Sequence, residues 1–227
     1  MKKLNHPNVV RLIEVLDDPE EDSLYMVMEM CKKGVVMKVG LDDKAEPYDA
    51  ETCRLWFRDL LLGIEYRKVS PFTPRFSDER MLTSFTVHAQ GVLHRDIKPD
   101  NLLLSEDEVL KVVDFGVSEM FERADPMKTT KSAGSPAFLP PELCGRHGEI
   151  SGKAADIWSM GVSLFCMKYG RIPFNRDGVL EIYEAIKSEQ PRLPKDEDPN
   201  FVDLLHKILE KDAEKRIKMT DLRVSTT

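Results

Sequence analysis

The chain has 227 residues, of which 41% are hydrophobic and 32% are charged, and its formal net charge is −7. This acidic balance argues against a nucleic-acid-binding protein, because such proteins usually carry a basic face. No stretch approaches the ~20 apolar residues of a membrane span, and the start of the chain lacks the features of a secretory signal. We therefore expect a cytoplasmic protein with enough apolar material for one substantial core.

Near the start of the chain, two short apolar runs flank an acidic turn that contains a proline. The runs are Val9–Leu16 and Ser23–Met30, and they predict two strands. An amphipathic helix is predicted from about Asp49 to Tyr66, with Asp49 as its N-cap. Its apolar stripe consists of Cys53, Trp56, Phe57, Leu60, Leu61 and Ile64.

Two later segments predict further helices. Residues 154–169 are apolar on nearly every side, which is typical of a helix buried in the middle of a domain. The second helix carries the apolar residues Phe201, Leu204, Leu205, Ile208 and Leu209. Because the strands come early and the helices late, the sequence predicts an α+β fold with a mostly helical second part.

The segment HRDIKPDN, residues 94–101, combines side chains that suit the transfer of a phosphoryl group. Asp96 is the candidate base, which would orient an attacking hydroxyl and accept its proton. Lys98 can offset the negative charge that develops on the transferred phosphate. Asn101 offers a neutral oxygen to a magnesium ion, so the segment is predicted to be a catalytic loop.

A second polar motif, VVDFGVS, places Asp114 eighteen residues after Asp96. The Asp114 carboxylate is predicted to be the main magnesium ligand, bridging the metal to the phosphates of ATP. The run LLLSEDEVLKVV between the two motifs predicts two short strands around an acidic turn. Such a hairpin would hold Asn101 and Asp114 at the same end.

Taken in order, the motifs HRDIKPDN, DFG, GSPAFLPPE and DIWSMGV, followed by Arg216, resemble the eukaryotic protein kinase family. Lys98, two residues after Asp96, resembles the serine/threonine branch. The segments HPNVVRLIEVLDDPEEDSLYMVMEM and SGKAADIWSMGV are similar to the calcium/calmodulin-dependent protein kinase kinases and their fungal relatives. The resemblance implies a protein kinase-like α+β fold. Residues 1–31 would be the remnant of an incomplete small β lobe with its hinge, and residues 32–227 a mostly α-helical large lobe.

The resemblance also implies binding and structural roles for further residues. Met28 would be the gatekeeper, and Glu29, Met30 and Cys31 would be the hinge whose backbone binds the adenine of ATP. The implied structural contacts are those of Ser135 with Asp96 and Lys98, of Glu142 with Arg216, and of Asp156 with the backbone of His94 and Arg95.

The segment MKTTKSAGSP, residues 127–136, corresponds to part of the activation segment of the resembled family. Thr129, Thr130 and Ser132 carry hydroxyls that can be phosphorylated. A phosphate there would pair with Arg95 and order the segment. The alternative, in which these are exposed loop hydroxyls without a regulatory role, stays open.

The resemblance implies protein Ser/Thr hydroxyls as substrates, downstream protein kinases among them, with ATP and Mg²⁺ as cofactors. Calmodulin would bind only through a regulatory helix that lies beyond the present sequence in the resembled family. No nucleic-acid or membrane partner is expected.

The sequence contains neither a GxGxxG loop nor a VAIK-like strand lysine, with which kinases bind the phosphates of ATP. We therefore expect the isolated chain to transfer phosphate poorly or not at all. The two predicted strands would have an unpaired edge and an uncovered apolar face. Two alternatives to an active kinase stay open: a catalytically impaired fragment that acts as a binding module, and an incomplete gene model of an active enzyme.

Residues 67–87 have no counterpart in the resembled family, and their lack of helical or strand period predicts a flexible surface loop. One interpretation is an adaptive regulatory loop, because Ser70 and Thr73 each precede a proline. The favoured hypothesis is a translated intron, because Val69–Ser70 and Val224–Ser225 can both be encoded by the splice-donor-like sequence GTGAGT.

Overall fold

The structure is a computed structural model that describes residues 5–18, 24–41, 44–65, 92–120, 127–129, 134–145 and 148–225. The predicted insertion at 67–87, together with Thr130 and Ser132, lies outside these residues. The helices are α1 (Ala50–Ile64), α2 (Gly152–Tyr169), α3 (Val179–Ser188), α4 (Pro199–Ile208) and α5 (Met219–Ser225). The strands are β1 (Leu12–Asp17), β2 (Leu24–Met28), β3 (Gly34–Val35), β4 (Val92–Leu93), β5 (Leu102–Leu104), β6 (Leu110–Val112), β7 (Glu119–Met120), β8 (Lys128–Thr129) and β9 (Ile150–Ser151). Strands precede most of the helices, which confirms the predicted α+β class.

Helix α1 begins where the sequence predicts and ends earlier. Asp49 is its N-cap, and the Oδ1 atom of Asp49 accepts a hydrogen bond from the Thr52 N–H at 2.9 Å. The helix ends at Ile64 rather than Tyr66, because the backbone of Glu65 leaves the helical region with φ −51° and ψ 138°. Every residue of the predicted apolar stripe is buried, so the prediction of which helix face packs against the core is confirmed.

Helix α2 is surrounded by the core, as its apolar composition predicts. It begins at Gly152, two residues before the predicted start, with Ser151 as its N-cap. Gly170 ends it in the left-handed region at φ 64°. The Trp158 ring is fully buried and stacks on Phe174 at a centroid distance of 5.9 Å. Among the described helices, none is both long and apolar enough to cross a membrane.

The hairpin predicted between the two catalytic motifs is present. Strands β5 and β6 pair antiparallel with Leu102 opposite Val112, and β3 adds a third strand. Asp59 of α1 accepts a hydrogen bond from the Leu110 N–H at 3.0 Å, and α1 packs against β6. The Val10 N–H donates to the Val112 carbonyl at 2.8 Å, so residues near the start of the chain join the same core.

Strands β1 and β2 form a separate two-stranded antiparallel sheet. As the sequence predicts, this sheet leaves apolar side chains open to solvent, namely those of Ile13, Leu16, Leu24, Tyr25, Met26, Val27 and Met28. Apolar area that stays in water adds no stability. Within the described residues, contacts at the end of the sheet join it to the rest of the fold, such as the pair of Glu29 with Lys111 at 2.9 Å.

Lys211 lies against two aromatic rings in the helical part of the fold. Its Nζ atom is 4.2 Å from the centroid of the Phe174 ring and 4.9 Å from that of Trp158. The same atom donates a hydrogen bond to the Ile186 carbonyl at 2.6 Å. Burial, with a smaller contribution from the charge of Arg216, lowers the pKa of Lys211 from its ordinary value of 10.5 to about 8.

This lowered pKa predicts that Lys211 makes stability depend on pH. Between about pH 8 and 10.5 the unfolded chain holds the Lys211 proton and the folded chain does not. The free energy of unfolding therefore rises with pH across that window. Urea unfolding should show that the wild type gains stability relative to Lys211→Met as the pH rises, and a constant difference would contradict the prediction.

Candidate active site

The carboxylate of Asp96 lies at the centre of a polar cluster. Its Oδ1 atom accepts hydrogen bonds from the backbone N–H and the hydroxyl of Ser135, at 3.0 and 3.2 Å. Its Oδ2 atom accepts a hydrogen bond from Asn101 Nδ2 at 3.0 Å and lies 2.9 Å from Lys98 Nζ. Lys98 also donates to the Ser135 hydroxyl at 2.8 Å. The structure thus brings together four side chains that the sequence analysis assigns to one site.

These contacts favour the ionised form of the Asp96 carboxyl group. Burial alone would raise the pKa of its carboxyl group. The hydrogen bond and charge of Lys98, together with the hydrogen bonds from Ser135, outweigh burial and lower this pKa below its ordinary value. Asp96 therefore carries a negative charge at neutral pH and accepts hydrogen bonds, which suits the orientation of a hydroxyl donor.

The backbone before Asp96 is strained, and Asp156 fixes it. Arg95 has a φ of 72°, a left-handed conformation that costs a residue with a side chain roughly 1–2 kcal/mol. The two carboxylate oxygens of Asp156 accept hydrogen bonds from the N–H groups of His94 and Arg95, at 3.1 and 2.9 Å. Asp156 is only 1% exposed. The contact that the resemblance implies is thus present, and it holds the peptide next to the candidate base.

His94 links the two catalytic motifs. Its ring is fully buried, and burial lowers its pKa, so the imidazole is neutral at neutral pH. The Nδ1 atom accepts a hydrogen bond from the Asp96 N–H at 3.3 Å, which leaves Nε2 to donate to the Val113 carbonyl at 3.0 Å. The ring also contacts Phe115 at a centroid distance of 4.9 Å. The neutral side chain of His94 therefore contacts both the catalytic loop and the segment that carries Asp114.

Asn101 and Asp114, the predicted magnesium ligands, lie on adjacent chain segments, because the Val113 N–H donates to the Asn101 carbonyl at 3.0 Å. Asn101 Nδ2 donates to the carbonyl and carboxylate of Asp96, so the amide oxygen faces away from Asp96. Asp114 is exposed, and its Oδ1 atom accepts a hydrogen bond from the Gly116 N–H at 3.0 Å. An amide oxygen and a carboxylate are hard ligands that fit magnesium.

Asn101 and Asp114 would supply only part of the coordination shell of a magnesium ion. Within the described ranges, no group of three or more His, Cys, Asp or Glu could bind a metal ion. Magnesium commonly keeps several waters and is shared with the phosphates of a nucleotide. The residues of this site therefore fit magnesium that arrives together with ATP.

Gly134 allows Ser135 to approach Asp96. It has a φ of 104°, and a Cβ atom at this position would lie 2.5 Å from the Arg95 carbonyl oxygen and 3.3 Å from Asp96 Oδ1. Glycine suits both the conformation and the close approach. Gly134 was not predicted as a site residue, although its position directly before the serine of the GSP motif is a signal for this role.

The ion pair implied between Glu142 and Arg216 is present and bidentate. Two guanidinium nitrogens of Arg216 lie 2.7 and 2.9 Å from the two carboxylate oxygens of Glu142. Arg216 also donates to the carbonyls of Ala154 and Glu210. These contacts connect the end of the segment 134–145 to the start of α2.

The segment to which the resemblance assigns adenine binding begins at the end of β2 and consists of Met28, Glu29, Met30 and Cys31. The Glu29 carboxylate pairs with Lys111 of β6. The Cys31 carbonyl accepts a hydrogen bond from the Gly34 N–H at 3.0 Å. The contact of Glu29 holds the segment against the hairpin of β5 and β6, and the role of the segment in adenine binding stays a prediction.

Among the residues predicted to be regulatory, Arg95 and Thr129 belong to the described part of the chain. Thr129 is 4% exposed, and its hydroxyl donates to Glu119 Oε2 at 2.6 Å. The Thr129 hydroxyl is therefore buried and not exposed, and its regulatory role stays a prediction. Arg95 pairs with the same Glu119 oxygen at 3.2 Å. The sequence analysis assigned no role to Glu119, since a single acid in a two-residue strand gives no signal.

A cavity of about 430 Å³ opens beside Lys98 and Ser135. Most of its wall is apolar, being lined by Val39, Leu41, Ala137, Phe138, Ile172, Val179 and Ile182. The sequence analysis gave these residues no role, because they come from distant segments and none carries a catalytic side chain. Lys98, Asn101 and Ser135, which contact the Asp96 carboxylate, also line this cavity.

The family described as protein kinase domain matches residues 1–69 and 80–225 of the chain. The matched ranges omit residues 70–79, which lie inside the segment 67–87 that is predicted to be an insertion.

Three curated relatives align with nearly the whole chain. It is 57% identical over 206 residues to the calcium/calmodulin-dependent protein kinase kinase cmkC of Emericella nidulans, covering 90% of this chain and 36% of that protein. It is 38% identical over 232 residues to the calcium/calmodulin-dependent protein kinase kinase of Caenorhabditis elegans, covering 100% and 38% of the two proteins. It is 37% identical over 226 residues to a probable serine/threonine-protein kinase of Dictyostelium discoideum, covering 98% and 28%.

The chain thus spans about a third of the length of these relatives. Because the family match covers most of the chain and these identities extend along it, the chain belongs to the protein kinase domain family, among serine/threonine kinases that include the calcium/calmodulin-dependent protein kinase kinases.

Proposed function

We propose that the chain forms the catalytic lobe of a cytoplasmic serine/threonine kinase that transfers the γ-phosphate of ATP to protein hydroxyls. The observation that carries this proposal is the convergence of Lys98, Asn101 and Ser135 on the carboxylate of Asp96, beside an open cavity. A carboxylate that is fixed on several sides by residues that themselves line a cavity is equipped to orient a hydroxyl from another protein.

Asp96 acts mainly by orientation. Its lowered pKa makes it a weak base, so it contributes little by removing the proton before the phosphoryl group moves. This suits a loose transition state, in which positioning and charge stabilisation provide most of the catalysis. Lys98, whose Nζ lies 2.9 Å from Asp96 Oδ2, places a positive charge where the hydroxyl would meet the phosphate.

Nucleotide binding is assigned to the residues around Asp96. Asn101 and Asp114 would hold magnesium, and the backbone of Glu29, Met30 and Cys31 would bind adenine next to Met28. When bound, ATP supplies the phosphoryl group and magnesium neutralises charge on its phosphates. The exposed carboxylate of Asp114 supports this assignment, because a metal that arrives with a nucleotide needs an accessible ligand.

The substrate is assigned to the cavity beside Lys98. Its apolar wall favours an extended peptide with an apolar side chain close to the accepting hydroxyl. Downstream protein kinases are the proposed substrates, in a cascade like that named for the fungal and nematode relatives. Calmodulin binding is proposed only for the whole protein and not for the described site.

The test is a transfer assay with the whole natural protein, magnesium, γ-labelled ATP and a protein substrate. The label is expected on Ser or Thr hydroxyls and is expected to fall about 100-fold or more in Asp96→Asn. Asp107→Asn is the matched control, because it removes the same charge from an exposed turn residue. Equal labelling by Asp96→Asn and wild type would contradict the proposal. Nucleotide binding without transfer in the wild type would favour the binding-module alternative.

A further inference from the structure

Arg95, Glu119 and Thr129 form a largely buried cluster beside the candidate base. Arg95 Nη1 lies 3.2 Å from Glu119 Oε2, and their side chains are 9% and 19% exposed. The Thr129 hydroxyl donates a hydrogen bond to the same oxygen at 2.6 Å. A single carboxylate therefore joins a cation of the catalytic loop to a hydroxyl of the following segment.

The cluster connects three separate pieces of chain. Arg95 precedes Asp96, and its N–H is fixed by Asp156. Glu119 lies in β7, opposite Leu93 of β4. Thr129 lies in β8, which pairs with β9. The contacts of Glu119 therefore hold the start of the activation segment against the catalytic loop.

A phosphate on Thr129, Thr130 or Ser132 is predicted from the sequence to pair with Arg95. In the structure, the Glu119 carboxylate already lies at the guanidinium, and the Thr129 hydroxyl is used as a donor to it. A phosphate on Thr129 would bring further negative charge against Glu119, which would repel it. The buried guanidinium thus receives its counter-charge from the chain itself.

We propose that Glu119 is a positioning residue that orders the catalytic loop and the activation segment without phosphorylation of Thr129. Glu119 acts through Arg95, whose backbone precedes the Asp96 carboxylate. This inference rests on the proposed function for its effect on catalysis, whereas the ordering itself can be measured without phosphate transfer.

The experiment uses the whole natural protein, treated with a phosphatase until mass spectrometry finds no phosphate on residues 127–136. The dephosphorylated wild type is expected to keep its kcat within about twofold. Glu119→Gln, which keeps the shape and removes the charge, is expected to lower kcat about 10- to 100-fold with little change in the KM for ATP. Glu119→Asp should recover part of the loss, because it restores the charge.

Two further variants separate positioning from general effects. Glu149→Gln removes an acid that lies directly before β9, where its pair with Lys128 is exposed, and should leave kcat unchanged. Thr129→Val cannot be phosphorylated, and it should lose less activity than Glu119→Gln because Arg95 keeps its counter-charge. Thermal unfolding verifies that each variant is folded.

Hydrogen exchange of residues 127–129 and 134–135 provides the readout that does not depend on activity. Glu119→Gln should lose protection there, and the dephosphorylated wild type should keep it. Loss of kcat and protection on dephosphorylation, or a Glu119→Gln variant that matches the wild type in both, would overturn the inference. If the wild type transfers no phosphate at all, the proposed function fails, and the exchange comparison still decides the role of Glu119.

Discussion

Glu142→Ala is expected to lower the free energy of unfolding by about 3–5 kcal/mol, the cost typical of removing one partner from a buried ion pair. The Arg216 side chain is 0% exposed and would stay buried without its counter-charge. It keeps hydrogen bonds to two carbonyls and lies 5.1 Å from the centroid of the Trp158 ring, but none of these contacts neutralises it. Urea unfolding followed by circular dichroism measures the change.

Asp203→Ala is the matched control for this prediction. Asp203 pairs with Lys207 on α4 at 2.6 Å, and both side chains are more than half exposed. Exposed pairs contribute about 0–1 kcal/mol, so this variant should remain close to the wild type. If both variants lost the same stability, the pair of Glu142 with Arg216 would not be the buried link that its geometry indicates.

Long-range contacts of this kind position the catalytic residues. Asp156 of α2 fixes the backbone before Asp96, and Ser135 fixes its carboxylate. Arg216 then holds Glu142 at the end of the segment that begins with Gly134. The candidate base is therefore positioned by parts of the chain that lie far from it in sequence.

Local patterns in the sequence predicted the main elements of the fold. The apolar stripe of α1 and the all-apolar run of α2 are long, and a long periodic pattern leaves few alternatives. The hairpin of β5 and β6 followed from two apolar runs around an acidic turn. The exact end of α1 could not be predicted from the sequence, because no residue at positions 64–66 is a strong helix terminator.

The candidate site was predictable only where a residue belongs to an ordered motif. Asp96, Lys98 and Asn101 share one segment, so their proximity follows from local sequence. The pair of Arg95 with Glu119 joins positions 24 residues apart through a two-residue strand, which is too short to show a period. The cavity beside Lys98 is lined by residues from four separate segments, 39–41, 98–101, 135–138 and 172–182. Sequence periodicity does not reveal how these segments pack together.

Gly134→Ala is expected to lower kcat for phosphate transfer about 100-fold, in a protein that remains folded. The added Cβ would lie 2.5 Å from the Arg95 carbonyl oxygen, a backbone atom that cannot rotate away. The segment must then move from the catalytic loop, and Ser135 loses its hydrogen bonds to Asp96. Because those hydrogen bonds help to lower the pKa of Asp96, that pKa should rise in the variant.

Gly145→Ala separates this contact from backbone strain. Gly145 has a φ of 85°, but a Cβ atom added there meets nothing within 4 Å. Both variants carry the cost of a positive φ, roughly 1–2 kcal/mol, which unfolding experiments measure. Only Gly134→Ala brings new atoms against the catalytic loop, so only that variant should lose kcat in steady-state assays of the whole protein. An equal loss of kcat in both would mean that strain alone is responsible, and that the close approach of Gly134 does not position Asp96.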